Sequence, residues 1–140
     1  MIKLVVFDLW NTLIFHSGDG FDVFPHAIPM LKRLRAQRIK TGLITNSGKL
    51  TIAEIKNKTE ILRHIDYPIF SFETGLSKPD PRIFKEALRL AKCEPHEALM
   101  IGDKLIDDIA PAKIVGMNAI QFTTYENLKS ELKKFSIDLE

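Results

Sequence analysis

The sequence predicts an α/β fold: an open parallel sheet of about five strands with helices on both faces. Three observations predict it. The 140 residues suit one domain, which takes roughly 100–200. Short apolar runs alternate with longer amphipathic segments, the pattern of successive βαβ units. Hydrophobic residues make up 45 % and charged residues 27 %, which supports a real core and excludes disorder as the main state.

The elements follow in order. Ile2–Phe7 reads as a buried strand, nearly continuous in apolar residues and β-branched at Ile2, Val5 and Val6. Asn11–Phe24, with Gly18, Gly20 and several polar residues, reads as an irregular loop or small flap. Pro25–Gln37 reads as a helix with Pro25 and Pro29 near its first turn, where a missing N–H costs little. Its apolar stripe is Ile28, Leu31 and Leu34, extended to Ile39. Thr41–Ile44 is the second strand. Gly48–Ile65 is a helical region with Leu50, Ala53, Ile61 and Leu62 facing inward. Pro68–Phe72 is a third strand. Asp80 is an N-cap with Pro81 at the first helical position, and Phe84, Leu88 and Ala91 follow at i, i+4 and i+7. Ala98–Ile101 is a fourth strand, Ile106–Val115 a short helix capped by Gly116, Asn118–Phe122 a fifth strand and Glu126–Phe135 a final helix. No repeat, linker or low-complexity tract interrupts the series.

Composition excludes several function classes. Twenty basic and eighteen acidic residues leave a net charge of +2. Lys32-Arg33-Leu34-Arg35 and Arg38 read as the solvated face of an amphipathic helix rather than the basic stripe of a nucleic-acid binder, so no nucleic-acid partner is expected. No apolar run approaches the roughly 20 residues that cross a bilayer, so no membrane is expected either. Cys93 is the one cysteine, which rules out an intramolecular disulfide. Met1–Trp10 has one lysine, a short apolar run and no small-residue cleavage site, so a reducing cytoplasm is the expected setting.

The chemistry gathers at strand ends. Ile2–Phe7 runs into Asp8, Thr41–Ile44 into Thr45-Asn46-Ser47, and Ala98–Ile101 into Gly102-Asp103 with Asp107 and Asp108 beyond. Each alone is an ordinary turn, cap or first-turn acid. In an open parallel sheet, however, the carboxyl ends of the strands face one crevice where ligands bind. Carboxylates clustered there repel one another unless a cation sits among them. Hard oxygen donors of this kind suit Mg²⁺, which also takes substrate phosphate. Lys78 is the candidate basic partner, and Thr45–Gly48 offers hydroxyls and backbone N–H groups where a helix begins. The set points to metal-assisted phosphoryl chemistry with a carboxylate nucleophile. Gly42–Leu50 is not a P-loop: five residues separate the glycines, and leucine rather than Ser or Thr follows Lys49.

Four segments in order resemble the haloacid dehalogenase-like hydrolase superfamily: Phe7-Asp8-Leu9-Trp10-Asn11-Thr12-Leu13, Leu43-Ile44-Thr45-Asn46-Ser47, Lys78-Pro79-Asp80-Pro81-Arg82-Ile83-Phe84, and Ile101-Gly102-Asp103-Lys104-Leu105-Ile106-Asp107-Asp108-Ile109. The resemblance runs from Ile2 to about Phe122. It implies a three-layer Rossmann-like core, with residues 1–140 forming a single catalytic domain. Asp8 would be the nucleophile, forming an aspartyl phosphate. Thr45 would bind the phosphoryl oxygens with help from the Asn46 backbone, and Lys78 would steady Asp8. Mg²⁺ would be held by Asp8, the Trp10 carbonyl and Asp103, with Asp108 in support.

Two departures from the family pattern carry consequences. Its phosphatases usually have a second aspartate two places after the nucleophile, for proton transfer to the leaving group. Trp10 stands there, and general acid–base help is worth 10²–10⁴ in rate. Trp10 either anchors the flap or stacks on substrate. Secondly, the intervals Phe15–Lys40 and Gly48–Ser77 are too short for a cap domain. The site must then be covered by a large substrate or a second subunit, as in a homo-oligomer, or select loosely. The leading expectation is a Mg²⁺-dependent phosphatase acting on a phosphorylated small molecule or macromolecule, weak or confined to good leaving groups. The alternatives are a phosphate-binding regulatory module with little turnover, and a non-phosphoryl hydrolase such as a dehalogenase. The flap has neither the arginine nor a lysine that halide binding asks for.

Overall fold

A computed structural model describes all 140 residues. Its centre is β1 (Leu4–Phe7), whose four residues are all buried. A strand covered on both faces must be apolar throughout, which is why its sequence does not alternate. β1 pairs in parallel with β4 (Lys40–Thr45) on one side and β6 (Ala98–Gly102) on the other. β5 (Tyr67–Phe70) and β7 (Asn118–Gln121) add the outer strands, giving the order β5-β4-β1-β6-β7.

The pleat divides the core in two. Val5, Phe7, Leu43, Leu99 and Ile101 point into the larger cluster, against α1 (Ala27–Ala36) and α6 (Tyr125–Lys133). Leu4, Val6, Ile44 and Met100 point into the smaller one, against α4 (Pro81–Ala91) and α5 (Ala110–Ile114). The expected parallel sheet of five strands with helices on both faces is therefore present. No helix is long and apolar enough to cross a membrane.

Several elements differ from the sequence reading. Asn11–Phe24 is not irregular: it carries an antiparallel hairpin, β2 (Ile14–Ser17) with β3 (Gly20–Val23), turned at Gly18 with φ +55°. Four-residue strands are too short to show period-2 alternation. In α1 the buried residues are Ala27, Met30, Leu31 and Leu34, with Ile28 only half-buried. In α2 (Lys49–Lys58) Ile52 and Ile55 face the core, whereas Ala53 is exposed and Leu50 is 86 % exposed. At about 100° per residue, Leu50 lies on the face opposite Ile52. Ile61 and Leu62 are buried as expected, but in a separate 3₁₀ turn. Phe72 falls in a one-turn helix, α3 (Ser71–Thr74), rather than in β5. The helix expected over 106–115 is a π turn, Leu105–Ile109, followed by α5. Pro111 has no amide to continue an i→i−4 ladder back to Asp107, which favours that break. Gly116, at φ +92°, ends the segment as expected.

Candidate active site

The carboxyl ends of β1, β4 and β6 meet at one shallow cavity of about 110 Å³. Asp8 is the first residue past β1, and its amide donates to the Ile101 carbonyl at 2.9 Å, which ties the strand end to β6. Thr45 closes β4, and Asp103 follows Gly102 at the end of β6.

Lys78 arrives from the loop before α4 and joins these ends. Its Nζ donates to Asp8 Oδ1 and to Asp108 Oδ1, both at 2.7 Å. Residue exposures are 8 % for Lys78, 7 % for Asp8 and 0 % for Asp108. The Lys78 backbone is clamped as well: its amide donates to Asn46 Oδ1 at 2.9 Å, and Asn46 Nδ2 donates to its carbonyl at 3.0 Å. Asp108 is fixed a second time, because Oδ2 accepts the Lys104 amide at 3.1 Å. Gly102 makes room for it: a Cβ there would lie 2.7 Å from Asp108 Cβ and 2.5 Å from Oδ2.

The opposite wall is a chain of hydroxyls. Thr45 Oγ1 and Ser47 Oγ are 2.8 Å apart, and the Ser47 amide donates to Thr45 Oγ1 at 3.1 Å. Trp10 Nε1 donates to Ser47 Oγ at 3.0 Å. The indole stacks on His16, with centroids 4.1 Å apart, and meets Phe21 edge-on at 6.3 Å. Trp10 thus joins the hairpin to the cavity wall.

The electrostatics ask for a cation. Asp8, Asp103 and Asp108 present carboxylate oxygens within 4.8 Å of one another, and of these Lys78 pairs with Asp8 and Asp108. Burial pushes the Asp8 carboxyl up to about 7; Lys78 opposes the rise, while Asp108 and Asp103 add to it. Burial by itself lowers the Lys78 ammonium, but the two carboxylates outweigh it and hold its pKa above the usual lysine value. Asp103 Oδ1 is buried with no hydrogen-bond partner, and the Trp10 carbonyl accepts no backbone hydrogen bond. Unpaired hard oxygens beside an excess of negative charge fit Mg²⁺.

All seven residues expected from sequence, Asp8, Trp10, Thr45, Asn46, Lys78, Asp103 and Asp108, lie in this one region. Sequence reasoning did not single out Ser47 or Lys104, which also line the cavity. Ser47 was readable as part of the Thr45–Ser47 polar cluster. Nothing local marks Lys104. Asp19 sits exposed at the hairpin turn.

Known proteins resemble this chain in sequence and fold. The model of the haloacid dehalogenase-like hydrolase family matches residues 14–116. Glyceraldehyde 3-phosphate phosphatase of Pyrococcus furiosus is 35 % identical over 114 residues, covering 80 % of this chain and 48 % of that protein. The crystal structure of a HAD phosphatase from Thermococcus onnurineus superposes with a TM-score of 0.73 at 30 % identity, over 86 % of this chain and 61 % of that one. That of a 2-haloacid dehalogenase from Pseudomonas syringae gives 0.64 at 34 % identity, over 73 % and 42 %. The chain spans about half the length of the first two sequence relatives, 48 % and 41 %. With the family match, the order of the four motifs and the shared sheet, the chain belongs to the haloacid dehalogenase-like hydrolase family.

Proposed function

We propose that the chain is the catalytic core of a Mg²⁺-dependent phosphatase that works through Asp8. The observation that carries this reading is the buried pairing of Lys78 with both Asp8 and Asp108 at 2.7 Å. It keeps one carboxylate oriented at the cavity floor with its charge partly balanced, as a nucleophile requires. Asp8 attacks phosphorus, the bond to the leaving oxygen breaks, and that oxygen departs with the electron pair. Water then attacks the aspartyl phosphate and releases phosphate, restoring the carboxylate. Thr45, Ser47 and the amides of their loop donate to the phosphoryl oxygens. Asp8, the Trp10 carbonyl and Asp103 would hold Mg²⁺, with Asp108 supporting them through Lys78, and the bound ion would supply charge neutralisation for the transferring group.

Trp10 offers no proton to the leaving oxygen. Acyl and aryl phosphates, whose leaving groups depart unprotonated, are the favoured substrates. The substrate is a phosphorylated small molecule or macromolecule. Between β1 and α1 stands only the hairpin, and between α2 and β5 only a 3₁₀ turn, so the substrate itself or a second subunit covers the site, or the site selects loosely. The free Cys93 suits a cytoplasmic setting. The dehalogenase reading is disfavoured by three carboxylates that need a cation.

Steady-state assays test the proposal. Acetyl phosphate and p-nitrophenyl phosphate should turn over with Mg²⁺, sugar phosphates should be slower by about 10²–10⁴, and EDTA should abolish all of it. Equal rates on acyl and alkyl phosphates would overturn the leaving-group preference. Activity that survives EDTA would overturn the metal requirement. Tight binding of beryllofluoride with Mg²⁺, but no turnover of any ester, would mark a regulatory module instead.

A further inference from the structure

We propose that the groove beside the catalytic cavity, walled by Leu105 and Ile106, is the leaving-group subsite and selects phosphate esters of apolar, aromatic groups. The inference rests on the phosphatase reading and assigns its substrate class. The catalytic cavity, at about 110 Å³, is well below the roughly 300–1,000 Å³ of pockets that enclose a whole organic ligand. It accommodates the phosphoryl group, and the rest of an ester must lie outside it. A wider groove of about 470 Å³ adjoins it and shares two wall residues with it, Lys104 and Asp107. The remaining walls are Leu105, Ile106 and Gln121.

Three features make this groove a site rather than a surface dent. Leu105 and Ile106 are adjacent large aliphatic residues, 57 % and 75 % exposed, and they stand directly beside the polar cavity. Their backbone is fixed to the catalytic floor. The π turn that carries them contains Asp108, which is held by Lys78 and by the Lys104 amide. On the far wall, Gln121 Nε2 donates to the Asp103 carbonyl at 3.1 Å, so that side chain is fixed to the same strand end. The charges at the mouth offset each other, with Lys104 Nζ 4.0 Å from Asp107 Oδ2. A near-neutral groove with aliphatic walls suits an uncharged apolar group.

Binding of two non-hydrolysable phosphonates to the Mg²⁺-loaded protein tests this by calorimetry. Phenylphosphonate should bind about tenfold more tightly than methylphosphonate, the difference being the ring buried on Leu105 and Ile106. Leu105→Ser and Ile106→Ser should each reduce that advantage about threefold and the double variant should remove it, with methylphosphonate affinity unchanged. Methyl resonances of both residues should shift with phenylphosphonate alone. Equal affinities in the unsubstituted protein, an advantage that survives the double substitution, or no binding of either phosphonate would overturn the subsite. Acetyl phosphate, too small to reach the groove, separates the two claims. Its turnover without a phenyl advantage overturns only the subsite. A phenyl advantage without its turnover overturns only the phosphatase reading.

Discussion

The floor of the site and its rim are built by opposite rules. On the floor, Asp8, Lys78 and Asp108 are almost without solvent contact, and each is held by partners on other elements. On the rim, Leu105 and Ile106 are among the most exposed large apolar residues of the chain. A floor residue cannot be removed without stranding a buried charge, whereas a rim residue can be removed with little effect on folding. The contrast separates the chemistry, which the floor fixes, from selection, which the rim leaves adjustable.

The sharpest way to break the contrast is Lys78→Met. It strands the Asp8 and Asp108 carboxylates, and losing one partner of a buried pair costs about 3–5 kcal/mol. Turnover should disappear, and the loss of stability should show in denaturant titrations. Adding Asp108→Leu should recover part of the stability and none of the activity. Unchanged stability in Lys78→Met would mean that the floor is hydrated and the pairing weak.

Trp10 stands where floor and rim meet. Trp10→Asp should raise kcat/KM for alkyl phosphates by about 10²–10⁴ and leave acetyl phosphate nearly unchanged. Trp10→Asn, which loses the same indole packing against His16, is the control and should show no such gain.

A smaller effect concerns protons on the floor. Asp8 has its carboxyl raised to about 7 in the folded chain, above its unfolded value near 4. The folded state therefore binds the proton more tightly. The stability this adds is complete below pH 4 and is lost as pH rises through 7. Mg²⁺ needs the carboxylate, so it competes with that proton. Mg²⁺ should raise Tm more at pH 8 than at pH 6, and calorimetry in buffers of different ionisation enthalpy should show proton release on binding near neutrality. Equal Tm shifts at both pH values would place the ion away from Asp8. The smallest effect is expected on the rim itself: Ile106→Ser should change stability by less than about 0.5 kcal/mol, checked by thermal unfolding.

Parts of this were legible in the sequence for physical reasons. β1, β4 and β6 are covered on both faces, so they announce themselves as apolar runs, and the polar residues that end them mark the crevice. Asp80-Pro81 signals its helix start through a local cap, and Asp80 does accept the Arg82 amide at 2.9 Å. The hairpin was not legible because four-residue strands carry no period. Leu50 was misassigned because an apolar residue near a helix start carries no mark of which way it faces. Within the site, the identities at the strand ends were readable. The clamp of Asn46 on the Lys78 backbone was not, because it joins loops 32 residues apart. The groove at Leu105 and Ile106 was hidden too, since it depends on a π turn where the pattern suggested an ordinary helix.

In the proposed reaction Asp8 carries the phosphoryl group. Rapid acid quench of the Mg²⁺-loaded protein with labelled acetyl phosphate, followed by peptide mapping, tests it most directly. A hydroxylamine-labile label is expected on the peptide that contains Asp8, formed and lost within one turnover, absent in EDTA and absent in Asp8→Asn. Undiminished turnover by Asp8→Asn, or a label found on any other residue, would contradict it.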